Sequence, residues 1–282
     1  MRLKCLSCEA VTRMVYACAA TSPHLVDVEL FRLGLHNEPS NLRVRLQAQI
    51  DAQQGQQYDA LLLAYGLCGQ ATAGLVAGEI PLVIPRAHDC ITLFLGSRAR
   101  YQEQFEHHPG TYWYALDYLQ RRDHTGTALS LGSGFDGDRL QELYQEYVEK
   151  YGEDNAQYLM ETMGAWQSHY NRAAYIDVGV GHGAAVEEEA RREAGRRGWR
   201  FERLTGNLSL IRRLLYGEWD EDFLVLSPGE QIRMAYDEGV VCAQRPRQQL
   251  DQQRHFTHCL LPGGKCMGDD LCDPSEQNIQ RG

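Results

Sequence analysis

Nowhere in these 282 residues does an apolar run approach the roughly 20 positions that a membrane-spanning helix needs. The start is strand-like with polar interruptions, not a positive patch followed by a long apolar core, so no targeting segment is expected. Basic charge is in short supply: 28 Lys and Arg stand against 38 Asp and Glu, a formal charge of −10. That balance argues against a general nucleic-acid or acidic-membrane surface, because phosphate binding needs clustered cations. The Arg-rich stretch at 191–197 alternates with Glu and reads as the wet face of a helix. Hydrolase and nucleotide signatures are missing as well. Ser227, in Leu226-Ser227-Pro228-Gly229, lacks the elbow of hydrolases, and Gly179-Val180-Gly181-His182-Gly183 lacks both the GxGxxG register and a P-loop lysine. What remains is an ordinary globular composition, 43% apolar and 23% charged, expected to be cytoplasmic.

Cysteine is the residue in excess. Nine cysteines is a high and odd number, and reduced thiols in a cytoplasmic setting point to metal or thiol chemistry rather than a disulfide framework.

Short apolar runs at 3–6, 26–33, 60–64 and 82–84 alternate with polar helical stretches such as 41–54, the pattern of a parallel α/β sheet. Residues 89–97 read as a helix with Asp89 in its first turn and Gly96 at its end. The middle holds an aromatic segment at 109–114, a Gly-rich loop at 132–137 and two polar amphipathic helices at 138–151 and 153–170. A second α/β series follows, with strands at 175–178, 200–204 and 223–226 and helices at 184–197 and 208–215. The expected fold is α/β, with parallel, Rossmann-like sheet layers flanked by helices and two lobes around a cleft. Three parts follow: an N-terminal lobe with a Cys/His site (1–110), a helical insertion and second lobe (111–244), and a loosely ordered Cys-containing tail (245–282).

Three cysteines stand just beyond strand-like runs: Cys8, Cys68 and Cys90, the last in His88-Asp89-Cys90. In a parallel sheet, side chains just past the strand ends gather in one crevice. Three thiols and an imidazole brought there make a soft-ligand metal set, suited to zinc or to an iron–sulfur cluster with one open iron. Each cysteine taken alone reads more readily as a small buried hydrophobe, the commonest fate of an isolated Cys. Around the set, Glu9 is a candidate base, Arg86 a clamp for an anionic substrate, and His88 a ligand or proton carrier. Gly66 and Gly69 permit a tight turn and close backbone approach, Tyr112 and Trp113 could wall a pocket or pack the core, and His182 could face a cleft. Cys259, Cys266 and Cys272 have spacings unlike a common zinc ribbon.

At Tyr65-Gly66-Leu67-Cys68-Gly69 and along 85–97 the chain resembles the domain of unknown function 1638 family. The resemblance continues through Cys8-Glu9, Gly110-Thr111-Tyr112-Trp113, 171–175, Gly217-Glu218-Trp219 and 223–229, covering roughly 3–229. It implies no established reaction. It implies a context, since such proteins often occur in anaerobes and methanogens beside methylamine or corrinoid methyl-transfer proteins. His88-x-Cys90 also looks like the zinc motif of thiol-methylating enzymes, such as cobalamin-independent methionine synthase and methylcobalamin:coenzyme M methyltransferase. Those enzymes are barrels whose further cysteine follows the motif, so the likeness is one of ligand chemistry only.

The sequence therefore supports a metal-dependent enzyme of small-molecule or one-carbon metabolism, a transferase or lyase, acting on an anionic substrate with the metal as Lewis acid or thiol activator. Its competitor is a carrier or accessory protein for a corrinoid, an iron–sulfur or another metallocofactor, although the Asp-x-His-x-x-Gly corrinoid signature is not evident. Neither reading involves nucleic acid or a membrane.

Overall fold

The structure, a computed structural model, describes residues 1–121, 145, 148–149, 152–153, 157, 170–237 and 239–245. In chain order the elements are β1 (Arg2–Cys8), α1 (Thr12–Ala19), β2 (Leu25–Phe31), α2 (Pro39–Ala52), β3 (Ala60–Ala64), β4 (Leu82–Pro85), α3 (Cys90–Leu95), α4 (Arg98–His107), β5 (Thr111–Ala115) and α5 (Leu116–Arg121). Then come β6 (Arg172–Asp177), α6 (Ala184–Arg197), β7 (Arg200–Thr205), α7 (Ser209–Tyr216), β8 (Phe223–Leu226), β9 (Gln231–Met234) and β10 (Val241–Gln244). The expected loop at 132–137, the helices at 138–151 and 153–170, and the tail cysteines Cys259, Cys266 and Cys272 lie outside the described residues, a few isolated helical positions apart.

A five-stranded sheet runs in the order β2-β1-β3-β4-β8. Its first four strands are parallel and β8 is antiparallel to β4. β3 is buried throughout, as a strand covered on both faces must be, which explains its unbroken Ala-Leu-Leu-Leu-Ala. Alternation along the strands splits their side chains between two cores. Leu3, Cys5, Leu62 and Val83 face α1, α3 and α7, whereas Leu6, Leu61, Leu63, Leu82 and Ile84 face Leu42, Leu46 and Ile50 of α2. The β9–β10 hairpin, which the sequence pattern does not foretell, adds Ile232 and Val241 to the second of these cores.

The second α/β series forms its own parallel sheet, β5-β6-β7. One face carries Tyr114, Ala173 and Tyr175 against Val186, Ala190 and Ala194 of α6. The other supplies Ala115 and Ile176, with Tyr118 of α5, to the core beneath β1 and β3. The sequence leads one to expect two lobes. Both sheets instead belong to one compact unit, Met1–Gln244, and share an apolar layer. Among the described residues no helix is long and apolar enough to cross a membrane. The Arg-rich face of α6 is laced by ion pairs, Arg191 to Glu187 and both Arg196 and Arg197 to Glu193, as its alternating charges predict.

Candidate functional site

The strand order creates the location. From β1 the chain steps to β2 on one side, then crosses to β3 on the other, which leaves a crevice outside the carboxyl ends of β1 and β3. Cys8 is the last residue of β1, the loop carrying Cys68 leaves β3, and Cys90 opens α3 after β4. All three thiols are free.

The two loops beside this crevice are zipped together. Leu67 and Cys68 donate backbone N–H bonds, each 2.8 Å, to the carbonyls of Ala87 and His88. A methyl group on Gly66 would meet the Asp89 nitrogen at 2.7 Å and the Ala87 oxygen at 2.8 Å, so the close approach needs glycine. The next turn is left-handed through Cys68 (φ 47°), Gly69 (φ 62°) and Gln70 (φ 71°). A left-handed non-glycine residue costs about 1–2 kcal/mol and persists where its surroundings over-determine it. Here the zipped backbone does so, together with the Thr72 hydroxyl, which donates to the Gly66 carbonyl at 3.1 Å.

On the neighbouring turn, Asp89 caps α3. Its Oδ1 accepts from the Ile91 N–H at 2.9 Å and the Thr92 N–H at 3.3 Å, and Gly96 ends the helix in a left-handed conformation. Burial raises the Asp89 carboxyl above its ordinary value, against the opposing pull of those two N–H groups. At β1 the Cys8 sulfur accepts from the Ala10 N–H at 3.5 Å and starts a short 3-10 turn, Glu9–Val11.

Burial dominates the thiol chemistry. It pushes Cys8 up to about 11, with the Ala10 N–H opposing and Glu9 reinforcing. Burial also raises Cys68, and negative charge on Cys8 and Asp89 raises it further. Cys90 is held well above its ordinary value by burial, then by Asp89, Cys68 and Cys8. Charge on Cys8 therefore opposes ionisation of Cys68, and charge on either of them opposes ionisation of Cys90. Among the described residues no group of three or more His, Cys, Asp or Glu stands close enough to hold a metal ion. Cys68 packs against the core under α2, Cys90 against the opposite core, and Cys8 against both, so the thiols reach the edge from the two faces of the sheet.

The remaining candidates are distributed as follows. His88 is exposed and stacks on Tyr101, ring centroids 5.3 Å apart and planes 23° apart. Glu9 accepts from the Leu33 N–H at 2.9 Å and faces Arg121 at 3.8 Å, which ties the ends of β1 and β2 to α5. Arg86 spends its guanidinium on the backbone carbonyls of Gly239, at 3.1 Å, and of Val241. Tyr112 packs with Tyr114, Tyr170 and Trp199 at centroid distances of 4.9, 5.6 and 5.4 Å, while Trp113 lies under the Arg172 guanidinium at 5.9 Å. Those contacts give the aromatic run a packing role in the second sheet. His182 is exposed, in a turn where a methyl on Gly181 would strike Leu116 at 2.7 Å. The structure therefore brings Cys8, Gly66, Cys68, Gly69, His88 and Cys90 to one sheet edge and gives Glu9 and Arg86 structural partners.

One residue at this edge escapes the sequence reading. Tyr101 of α4 stacks on His88 and donates to Asp89 Oδ2 at 3.4 Å. The signal for it is the restart at Ser97, whose hydroxyl accepts from the Arg100 N–H at 3.4 Å and opens a second helix directly after Gly96.

A family model described as a protein of unknown function, DUF1638, matches residues 30–215, and the chain belongs to that family. Cys68, His88 and Cys90 fall inside the matched region; Cys8 precedes it. No curated protein and no solved structure matches the chain.

Proposed function

We propose that this DUF1638 protein is a metal-binding enzyme of small-molecule or one-carbon, methyl-transfer-related metabolism, working in the reducing cytoplasm. Cys8, Cys68 and Cys90 are its donors. The observation that supports the reading is that Cys8, Cys68 and Cys90 follow the neighbouring strands β1, β3 and β4, with charge on Cys8 raising Cys68 and charge on Cys68 and Cys8 raising Cys90. Closing the donor set requires those side chains to rotate toward a common point. Zinc, the first choice for such donors, would supply a Lewis acid or activate a substrate thiol when bound. His88, which is exposed, serves in this reading as a fourth ligand or as a proton carrier. An anionic small molecule and corrinoid methyl-transfer proteins are the partners this reading implies.

A second reading is a non-catalytic carrier of a corrinoid, an iron–sulfur or another metallocofactor. The engagement of Arg86 and Glu9 in structural bonds favours it, since fewer polar groups are then left for catalysis.

Metal analysis of the purified protein beside Cys8→Ala, Cys68→Ala and Cys90→Ala tests the shared site. Each substitution is expected to lower metal content about tenfold or more. Wild-type metal content in any two of the three variants overturns the site. A colourless protein with stoichiometric zinc supports the zinc reading, and thiolate-to-iron absorbance supports a cluster. Ligand retained through purification without turnover supports the carrier.

A further inference from the structure

We propose that the turn between β6 and α6 binds a phosphate group, using the N-terminus of α6 and the Tyr175 hydroxyl as donors. The thiols play no part in it. β6 is the middle strand of its parallel sheet, and the turn lies at its carboxyl end, where ligands of α/β sheets bind. α6 runs for 14 residues from Ala184, so the positive end of its dipole faces the turn. The N–H groups of Ala184, Ala185 and Val186 have no partner within the helix, and none elsewhere among the described residues. Gly183, the N-cap, has no side chain with which to satisfy them. Ala184 and Ala185 are exposed, so the opening can be reached from solvent.

Tyr175 completes the donor set. It is only 2% exposed, and its ring sits in one core with Val186 and Ala190 of α6. Its hydroxyl is aimed at the N-cap, because a methyl group on Gly183 would collide with it. Among the described residues that hydroxyl has no hydrogen-bond partner. A buried hydroxyl left unbonded is costly, and this one stands beside open N–H groups, so a ligand oxygen is what both would share. Burial raises the Tyr175 pKa, and the charges of Asp177 and Glu187 raise it further, which keeps the hydroxyl protonated as a donor. Neither carboxylate is left uncompensated: Arg203 pairs with Asp177 and, at 3.4 Å, with Glu187. Arg13, ion-paired with Asp117, flanks the turn, and a methyl on Gly181 would meet its Cδ at 3.0 Å. The turn has neither the glycine register of a pyrophosphate site nor the lysine of a triphosphate site, which limits the ligand to one phosphate.

Amide NMR of the full chain, titrated with inorganic phosphate and with sodium chloride at matched ionic strength, tests the site. The amides of Ala184, Ala185 and Val186 should shift saturably with phosphate, at a dissociation constant of about 1 mM or lower, and not with chloride. Methyl phosphate is the second probe. Tighter binding of it than of phosphate identifies the group as the end of a phosphorylated small molecule, and the reverse identifies the free ion; either result supports the site. Tyr175→Phe keeps the ring in its core and should weaken phosphate about tenfold. Ala185→Glu puts a carboxylate on the exposed first turn, where the helix dipole tolerates it, and should weaken phosphate by about tenfold or more. Absence of a saturable shift at 184–186 up to about 50 mM phosphate overturns the site. Wild-type affinity in Tyr175→Phe also overturns it, since the hydroxyl is then no donor. Wild-type affinity in Ala185→Glu places the anion elsewhere, with the same consequence. Should Ala185→Glu fail to fold, Tyr175→Phe decides alone.

Discussion

Gly66 is the most constrained residue of the site. A methyl group there would lie 2.7–2.8 Å from backbone atoms of Asp89 and Ala87, and backbone held by two further hydrogen bonds cannot move aside cheaply. Gly66→Ala is therefore expected to destabilise the protein by about 1–3 kcal/mol, read from the shift of a urea midpoint; a loss under about 0.5 kcal/mol would contradict the close approach. Asp222 is a second residue with a calculable role. Its carboxylate accepts from Arg98 at 3.1 Å and from Arg213 at 2.8 Å, and its backbone carbonyl accepts from the Arg86 N–H at 2.8 Å. Burial raises its pKa, but the two guanidiniums outweigh burial and hold it below the usual carboxylate range. A folded pKa below the unfolded one gives stability that is present above the unfolded value of about 4 and is lost as pH falls through the folded value. Asp222→Asn should thus cost about 1–2 kcal/mol near pH 7, and the gap to the wild type should shrink on going from pH 5 to pH 3. A gap constant down to pH 3 would show that Asp222 does not act through its charge. The thiols and His88 are legible in the sequence because each follows an apolar strand run. Arg86 and Glu9 are not, because nothing local reveals where a long side chain finds its partner: the carbonyls bonded by Arg86 lie at Gly239 and Val241.

At the scale of elements, the α3–α4 pair is written in capping chemistry. Asp89 opens one helix, Gly96 closes it and Ser97 opens the next. Asn caps almost as well as Asp, so Asp89→Asn is expected to change stability by a few tenths of a kcal/mol, whereas Asp89→Ala should lose about 1 kcal/mol with the cap. Equal losses in the two variants would mean that charge, not the cap, holds α3 in place. The same logic explains which elements the sequence discloses. Val186, Ala190 and Ala194 repeat every four residues and Gly198 follows the last turn, so α6 is read with its observed bounds. α4 buries none of its residues fully and offers no apolar stripe, so periodicity passes over it although Ser97 caps it. β9 and β10 are four residues each and half exposed, too short for alternation to stand out. β8 is read as a strand, but its antiparallel pairing with β4 depends on a partner far away in sequence.

Across the whole molecule, the two α/β series are visible as alternation, yet their joining is not, because a pattern shows which face is apolar and not what covers it. Ile176 of β6, in the second sheet, packs in the same core as Leu3, Leu62 and Leu214 of the first sheet and its helix layer. Layers that share a core should unfold together, and lobes that only touch should not. Ile176→Ala removes buried methyl groups from that common layer and is expected to cost about 2–5 kcal/mol. Tryptophan reports on both halves of the test: Trp219 packs beside the shared layer, while Trp199 packs beside the outer core of the second sheet. Fluorescence of single-tryptophan variants retaining one or the other should follow the same urea transition as far-UV circular dichroism, at a midpoint lowered in Ile176→Ala. Were Trp199 to report an earlier transition than Trp219 in that variant, the second sheet would be a separable lobe, and the shared layer would be a contact between two bodies.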